Sequence, residues 1–206
     1  MYMDTKSQAF EVIKKERVYQ GFFNLDRFDV KHTLFNGGWS NVIVRELFQR
    51  GSCVAVIPYD PRTDQVVLIE QFRVGAIANS PRSPWLVEIV AGAIEPGETA
   101  REVAYREARE EADCEIEALM EIGQFYTTPG GSSEKITLYC AKVEAAKLGG
   151  VHGLDHEDED ILVNVVSLDE ALAKLDNGEI ESAIPIIALQ WLALKREEVR
   201  DLWSGN

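Results

Sequence analysis

The stretch Gly92-Ala93-Ile94-Glu95-Pro96-Gly97-Glu98-Thr99-Ala100-Arg101-Glu102-Val103-Ala104-Tyr105-Arg106-Glu107-Ala108-Arg109-Glu110-Glu111-Ala112-Asp113-Cys114 decides how this chain is read. Its first third carries Pro96 and Gly97, which is turn chemistry. Thr99 and Glu102 then form a capping box, in which hydroxyl and carboxylate each satisfy an orphan backbone donor, so a helix is expected from Thr99 to about Ala112. Ala100, Ala104, Ala108 and Ala112 recur every fourth residue as an apolar stripe. Glu107, Glu110 and Glu111 lie at i, i+3 and i+4, an arc of roughly 100° bordering that stripe. On residue type alone this is also what a solvated helix face looks like, because Glu is a good helix former. Held against the body of a domain, three like charges are costly unless a cation sits among them, and an all-oxygen carboxylate cluster suits Mg²⁺ or Mn²⁺ better than zinc.

Outward from this segment the chain is rich in strands. Residues 10–49 read as a small antiparallel sheet, with strand-like runs at Val18 and Tyr19, at Phe22 and Phe23, and from Phe28 to Val30. Asn36-Gly37-Gly38 is a turn before a returning strand over 39–47. Gly51 marks a boundary, giving an N-terminal antiparallel sheet within residues 1–50 and a main domain over residues 51–206. Residues 54–58 and 65–70 form a hairpin around Asp60-Pro61-Arg62-Thr63-Asp64, 79–84 a loop, and 85–90 an apolar strand. Strands are expected over 116–126, 134–143 and 161–166, and helices over 168–175 and 180–203 with Asp176-Asn177-Gly178 as the break. Strands in front, one helix among strands and helices at the end predict an α+β, α/β/α-sandwich architecture.

Composition excludes several functions. Lys and Arg total 21 against 35 Asp and Glu, a net charge of 21 − 35 = −14. Such a chain lacks the basic patch that nucleic acid or an anionic membrane requires. An anionic ligand needs divalent cations as intermediaries. The three cysteines, Cys53, Cys114 and Cys140, make no even disulfide framework, and residues 1–15 lack a signal-peptide apolar run, so a cytoplasmic location is expected. No stretch reaches the roughly 18 apolar residues of a membrane span.

From Gly92, five residues lead to Glu98, and seven more lead to Arg106-Glu107-Ala108-Arg109-Glu110-Glu111. This is the pattern GX5EX7REUXEE, and through it the chain resembles the Nudix hydrolases. Asp113 stands where that pattern has glycine; Asp tolerates the left-handed cap better than most residues. The likeness implies that Glu107 and Glu111, with the carbonyl of Ala91, hold divalent metal, that Glu110 contacts it directly or through water, and that Glu98 and Arg106 pair to join loop and helix. The family acts on nucleoside diphosphates linked to another moiety.

Further segments resemble the bacterial ADP-ribose pyrophosphatase branch: Gln20-Gly21-Phe22-Phe23, Val44-Arg45-Glu46, Ile69-Glu70-Gln71-Phe72-Arg73, Thr128-Pro129-Gly130, and 153–160. The branch implies Mg²⁺-dependent cleavage of ADP-ribose to AMP and ribose 5-phosphate, with Mn²⁺ as an alternative ion. It implies a homodimer with a swapped N-terminal sheet, and substrate contacts at Phe22, Phe23, Arg45, Glu46, Arg50, Arg73, Ala93, Thr128, Pro129, Gly130 and Glu134. Phe22 and Phe23 also fit a plain core role, and Pro129 a plain turn. The run Asp155-His156-Glu157-Asp158-Glu159-Asp160 packs five carboxylates into six positions. By composition it is a solvated loop; by resemblance Glu157 is the general base and Glu159 a further metal ligand. The same chemistry on another nucleotide sugar or NADH, and a non-catalytic nucleotide-binding regulator, remain alternatives.

Overall fold

The computed structural model describes residues 8–78 and 83–204, so the loop expected over 79–84 lies largely outside the described residues. The chain divides into two compact units, one of residues 1–51 with 126–135 and one of 52–125 with 136–206.

The larger unit is built on strand β4 (Ser52–Asp60), which is buried from Cys53 to Asp60. Successive side chains of a strand point to opposite faces, and here they enter two different cores. Cys53, Ala55, Ile57 and Tyr59 join Val66, Leu68, Leu138 and Cys140 beneath α2 (Leu168–Asp176) and α3 (Ala183–Ser204). Val54 and Val56 join Val67, Ile69 and Val163 beneath α1 (Ala100–Ala112). A strand buried on both faces reads as an uninterrupted apolar run, as 53–57 does. The layers are thus helix, sheet, helix, the expected sandwich.

The sheet order is β10 (Gly150–His152), β11 (Ile161–Ser167), β5 (Gln65–Phe72), β4, β9 (Lys135–Lys142), β8 (Ala118–Tyr126). Beyond the hairpin end, β4 and β5 take different neighbours: β6 (Trp85–Glu88) pairs with β5 and β7 (Val90–Ala93) with β4. The single strand expected over 85–90 is therefore two, split at Ile89. The turn chemistry at Pro96 and Gly97 is preceded by strand, because Ala91, Gly92 and Ala93 pair with Ala55, Val54 and Cys53.

The smaller unit carries an antiparallel sheet of β1 (Phe10–Gln20), β2 (Asn24–His32) and β3 (Ile43–Gln49). β1 is longer than its apolar runs predict and exposed throughout, since its backbone pairing with β2 tolerates charged side chains on either face. Phe22 and Phe23 lie in the turn between β1 and β2 and not in a strand. The returning strand begins at Ile43, after the irregular 39–42 segment.

Candidate active site

The carboxylate helix starts as its capping box dictates. Thr99 Oγ1 accepts from Glu102 N at 3.2 Å, and Glu102 Oε2 accepts from Thr99 N at 2.8 Å. It ends at Asp113 in the left-handed conformation, φ 47°, so the expected glycine-like cap is present. The alanine stripe enters the core with Ala104, Ala108 and Ala112 fully buried. That packing turns the glutamate arc toward β7.

Glu111 is 3% exposed and accepts one hydrogen bond from Ala91 N at 2.9 Å. Burial pushes its carboxyl up to about 8; the Ala91 N–H opposes the rise, and the charges of Glu107 and Glu159 add to it. Glu107 is likewise raised, chiefly by burial, with Arg106 opposing. Its carboxylate lies against the backbone of Gly92, where a Cβ would come within 1.7 Å of Oε1. Any other residue at position 92 would displace the carboxylate, which is the physical reason for glycine there.

Arg106 is the hub of the arc. It donates to Glu98 at 3.0 Å, to Glu107 at 2.7 Å, to Glu110 at 3.0 Å and to the Ala93 carbonyl at 3.4 Å. The expected pair with Glu98 is there, and the same guanidinium also draws Glu107 and Glu110. Among the described residues no three His, Cys, Asp or Glu side chains are set to close on a metal ion. The donor set nevertheless fits a hard divalent cation: a buried, poorly solvated carboxylate at Glu111, a second in the Gly92 cradle, and Glu159 near enough to raise both.

The acidic loop folds back at Gly153, φ 109°, where a Cβ would meet Glu159 at 2.7 Å. Glu159 accepts from Leu154 N at 3.2 Å and is half-buried, whereas Glu157 is exposed in a 3-10 turn with His156 Nε2 at 3.6 Å. Arg73, at the end of β5, pairs with Glu88 of β6 at 2.7 Å, and its charge reaches Glu111. Glu88 is absent from the residues that motif and spacing single out, although one carboxylate inside the apolar run 85–90 is a readable signal.

In the smaller unit, Phe22 is 95% exposed and meets Phe23 edge-on at 4.7 Å; Phe23 in turn meets Phe48 at 4.9 Å and the Arg50 guanidinium at 5.0 Å. Neither ring is core. Arg50 also pairs with Glu134 at 3.5 Å, and Glu134 accepts from Thr127 Oγ1 at 2.8 Å. Thr128, Pro129 and Gly130 form an exposed turn, with the Thr128 carbonyl accepting from Gly131 N and Ser132 N. Arg45 and Glu46 are exposed on β3, opposite Phe28 and Arg27.

The family model of the NUDIX domain matches residues 49–187. The chain belongs to the NUDIX domain family. It is 43% identical over 194 residues to the ADP-ribose pyrophosphatase of Escherichia coli K12, covering 94% of this chain and 92% of that protein. It is 42% identical over 201 residues to the ADP-ribose pyrophosphatase of Haemophilus influenzae, covering 97% and 93%. The GDP-mannose pyrophosphatase of Cronobacter sakazakii is 37% identical over 152 residues, 73% of this chain and 78% of its own. A crystal structure of an ADP compounds hydrolase superposes with a TM-score of 0.70 at 22% identity, covering 95% of this chain and all of that one. At that identity the superposition speaks for the NUDIX fold alone.

Proposed function

We propose that this NUDIX protein hydrolyses the diphosphate of ADP-ribose, with water, to AMP and ribose 5-phosphate. The observation that supports the chemistry is Glu111, a buried carboxyl that feels the charges of Glu107 and Glu159 and accepts one N–H, an environment that a divalent cation would relieve. The substrate rests on the 42–43% identity to two ADP-ribose pyrophosphatases over nearly the whole chain. Glu107, Glu111, Glu159 and the Ala91 carbonyl would hold Mg²⁺, or Mn²⁺, with Glu110 contributing directly or through water. Bound there, the ion supplies charge for the diphosphate oxygens and acidifies water. Arg73 and Arg50 offer planar forks to phosphate. Glu157, exposed and two residues from Glu159, accepts the proton of the attacking water.

Phe22 and Phe23 supply ring faces for adenine, with Arg45, Glu46, Ala93, Thr128, Pro129, Gly130 and Glu134 lining base, phosphates and ribose. The working form is a homodimer in which the N-terminal sheet is exchanged, supported by the rings that this sheet leaves in solvent. No helix among the described residues is long and apolar enough to cross a membrane, and three buried free cysteines suit a reducing cytoplasm. The test is release of AMP from ADP-ribose, with and without Mg²⁺, beside a panel of nucleotide sugars and NADH. Preference for GDP-mannose, the substrate named for a 37% identical relative, would replace the ADP-ribose reading.

A further inference from the structure

Gln71 holds its amide Nε2 out of reach of solvent, and that atom has no hydrogen-bond partner among the described residues. An orphaned buried donor is destabilising, a cost that an apolar side chain at this place in β5 would avoid. Its neighbours suggest when the donor is used. In the β5–β6 register Gln71 stands opposite Leu86, and Ile69 stands opposite Glu88. Gln71 and Glu88 are therefore diagonal neighbours on one face, a separation that long side chains span. The Glu88 side chain is 13% exposed and is ion-paired to Arg73, two residues beyond Gln71 on the same face. The Arg73 side chain is 41% exposed, so its guanidinium has room to turn away.

Turning away has a consequence. If Arg73 takes a phosphate, Glu88 is left charged, mostly buried and without its cation, an unfavourable state unless another donor replaces the guanidinium. We propose that Gln71 is a positioning residue that donates Nε2–H to Glu88 when the diphosphate draws Arg73 away. In the unliganded protein Arg73 satisfies Glu88 and Gln71 waits; in the liganded protein Arg73 meets phosphate and Gln71 satisfies Glu88. The orphaned donor is thus half of an exchange of hydrogen bonds between two states. This inference rests on the phosphate role proposed above for Arg73.

The test is a double-mutant cycle read by calorimetric binding and thermal melting. The full chain, as wild type, Gln71→Leu, Glu88→Gln and the double variant, is titrated in Mg²⁺ with the α,β-methylene analogue of ADP-ribose and, separately, with methylenediphosphonate. Gln71→Leu is expected to weaken binding about tenfold while the unliganded melting temperature stays level or rises. In the Glu88→Gln background, where no carboxylate is stranded, the same substitution should change affinity less than about twofold. Gln71→Met repeats the measurement should Gln71→Leu fold poorly. Equal losses in both backgrounds, or no loss in the first, overturn the proposal. Unchanged affinity in Arg73→Ala overturns the phosphate role and this exchange with it. Binding of methylenediphosphonate but not of the ADP-ribose analogue overturns only the substrate reading, and the diphosphonate cycle then decides the exchange.

Discussion

The two units of this chain solve the problem of burial in opposite ways. The larger places β4 between two apolar cores; its buried charges are Asp60, beside Arg62 at the β4–β5 hairpin, and Glu111 in the site. In the smaller, among the described residues, the buried side chains are Asp26 and Ser132, and no hydrophobic side chain is buried. Phe10, Tyr19, Phe22 and Phe35 are 62–95% exposed there. Its centre is polar: Asp26 receives Arg17, Lys15 at 3.1 Å and Gln49 Nε2 at 3.1 Å. Hydrophobic burial is the dominant favourable term in folding, so the first unit has its own reason to be folded. The second has strand pairing, an ion cluster and a few ring contacts, with Phe10, Phe22 and Phe35 largely exposed. Burial and exposure are thus divided between the units: the one with two apolar cores carries Glu107, Glu110 and Glu111, and the one without such a core leaves large aromatic rings exposed.

The sharpest division of labour is expected at Glu157. Glu157→Gln should lower kcat by roughly 10² to 10⁴, leaving KM, the Mg²⁺ dependence and the oligomeric state near those of wild type. Glu159→Gln, by contrast, should shift the Mg²⁺ titration. Near-normal turnover in Glu157→Gln would move the base elsewhere, with Glu110 next in line.

Core truncation tests the energetic side. Ile57→Ala, at a fully buried position in β4, should cost about 2–5 kcal/mol in denaturant unfolding. Phe10→Ala, at a ring 76% exposed, should change the stability of the single chain by less than about 0.5 kcal/mol and, if the proposed homodimer forms, act instead on it, seen as a rise in the dissociation constant by sedimentation. A large loss of intrinsic stability from Phe10→Ala would erase the contrast.

The pH dependence of the metal-free protein should carry opposite signs in the two units. Glu111 titrates near 8 in the folded protein against an ordinary value of 4.5. The folded state therefore binds more protons between those values, and stability falls as pH rises from about 4.5 to 8. Glu111→Gln should flatten that fall, and Mg²⁺ should reverse it in wild type. Asp26 behaves the other way, because the hydrogen bond from Arg17, foremost, holds its carboxyl down at about 2. Its contribution is present above about 4 and is lost as pH falls toward 2. The protection of β2 amides, measured relative to intrinsic exchange at each pH, should therefore fall between pH 5 and 2.5 in wild type and much less in Asp26→Asn.

The smallest effect is expected at Asp113. Asp113→Gly should stabilise by at most about 1 kcal/mol, since φ 47° strains a side chain but not glycine. Destabilisation on melting would show that Asp113 has a role beyond the cap.

What could be read along the chain was whatever depends on local spacing. The capping box, the alanine stripe, the left-handed cap at Asp113 and the layered sandwich all follow from near neighbours, and each is present in the structure. The Glu98–Arg106 pair was legible for the same reason, its partners being held by one loop and one helix. Tertiary structure alone decided the rest. The split at Ile89 exists because β5 and β4 diverge and each takes its own partner, which no run of apolar residues announces. The exposure of Phe22 and of the whole of β1 depends on what the rest of the chain leaves uncovered, and a hydrophobic residue carries no mark of that. The pairing of Arg73 with Glu88 and the solitude of Gln71 arise from register between strands. Sequence order sets which groups are available; only the pairing of distant strands determines which of them meet.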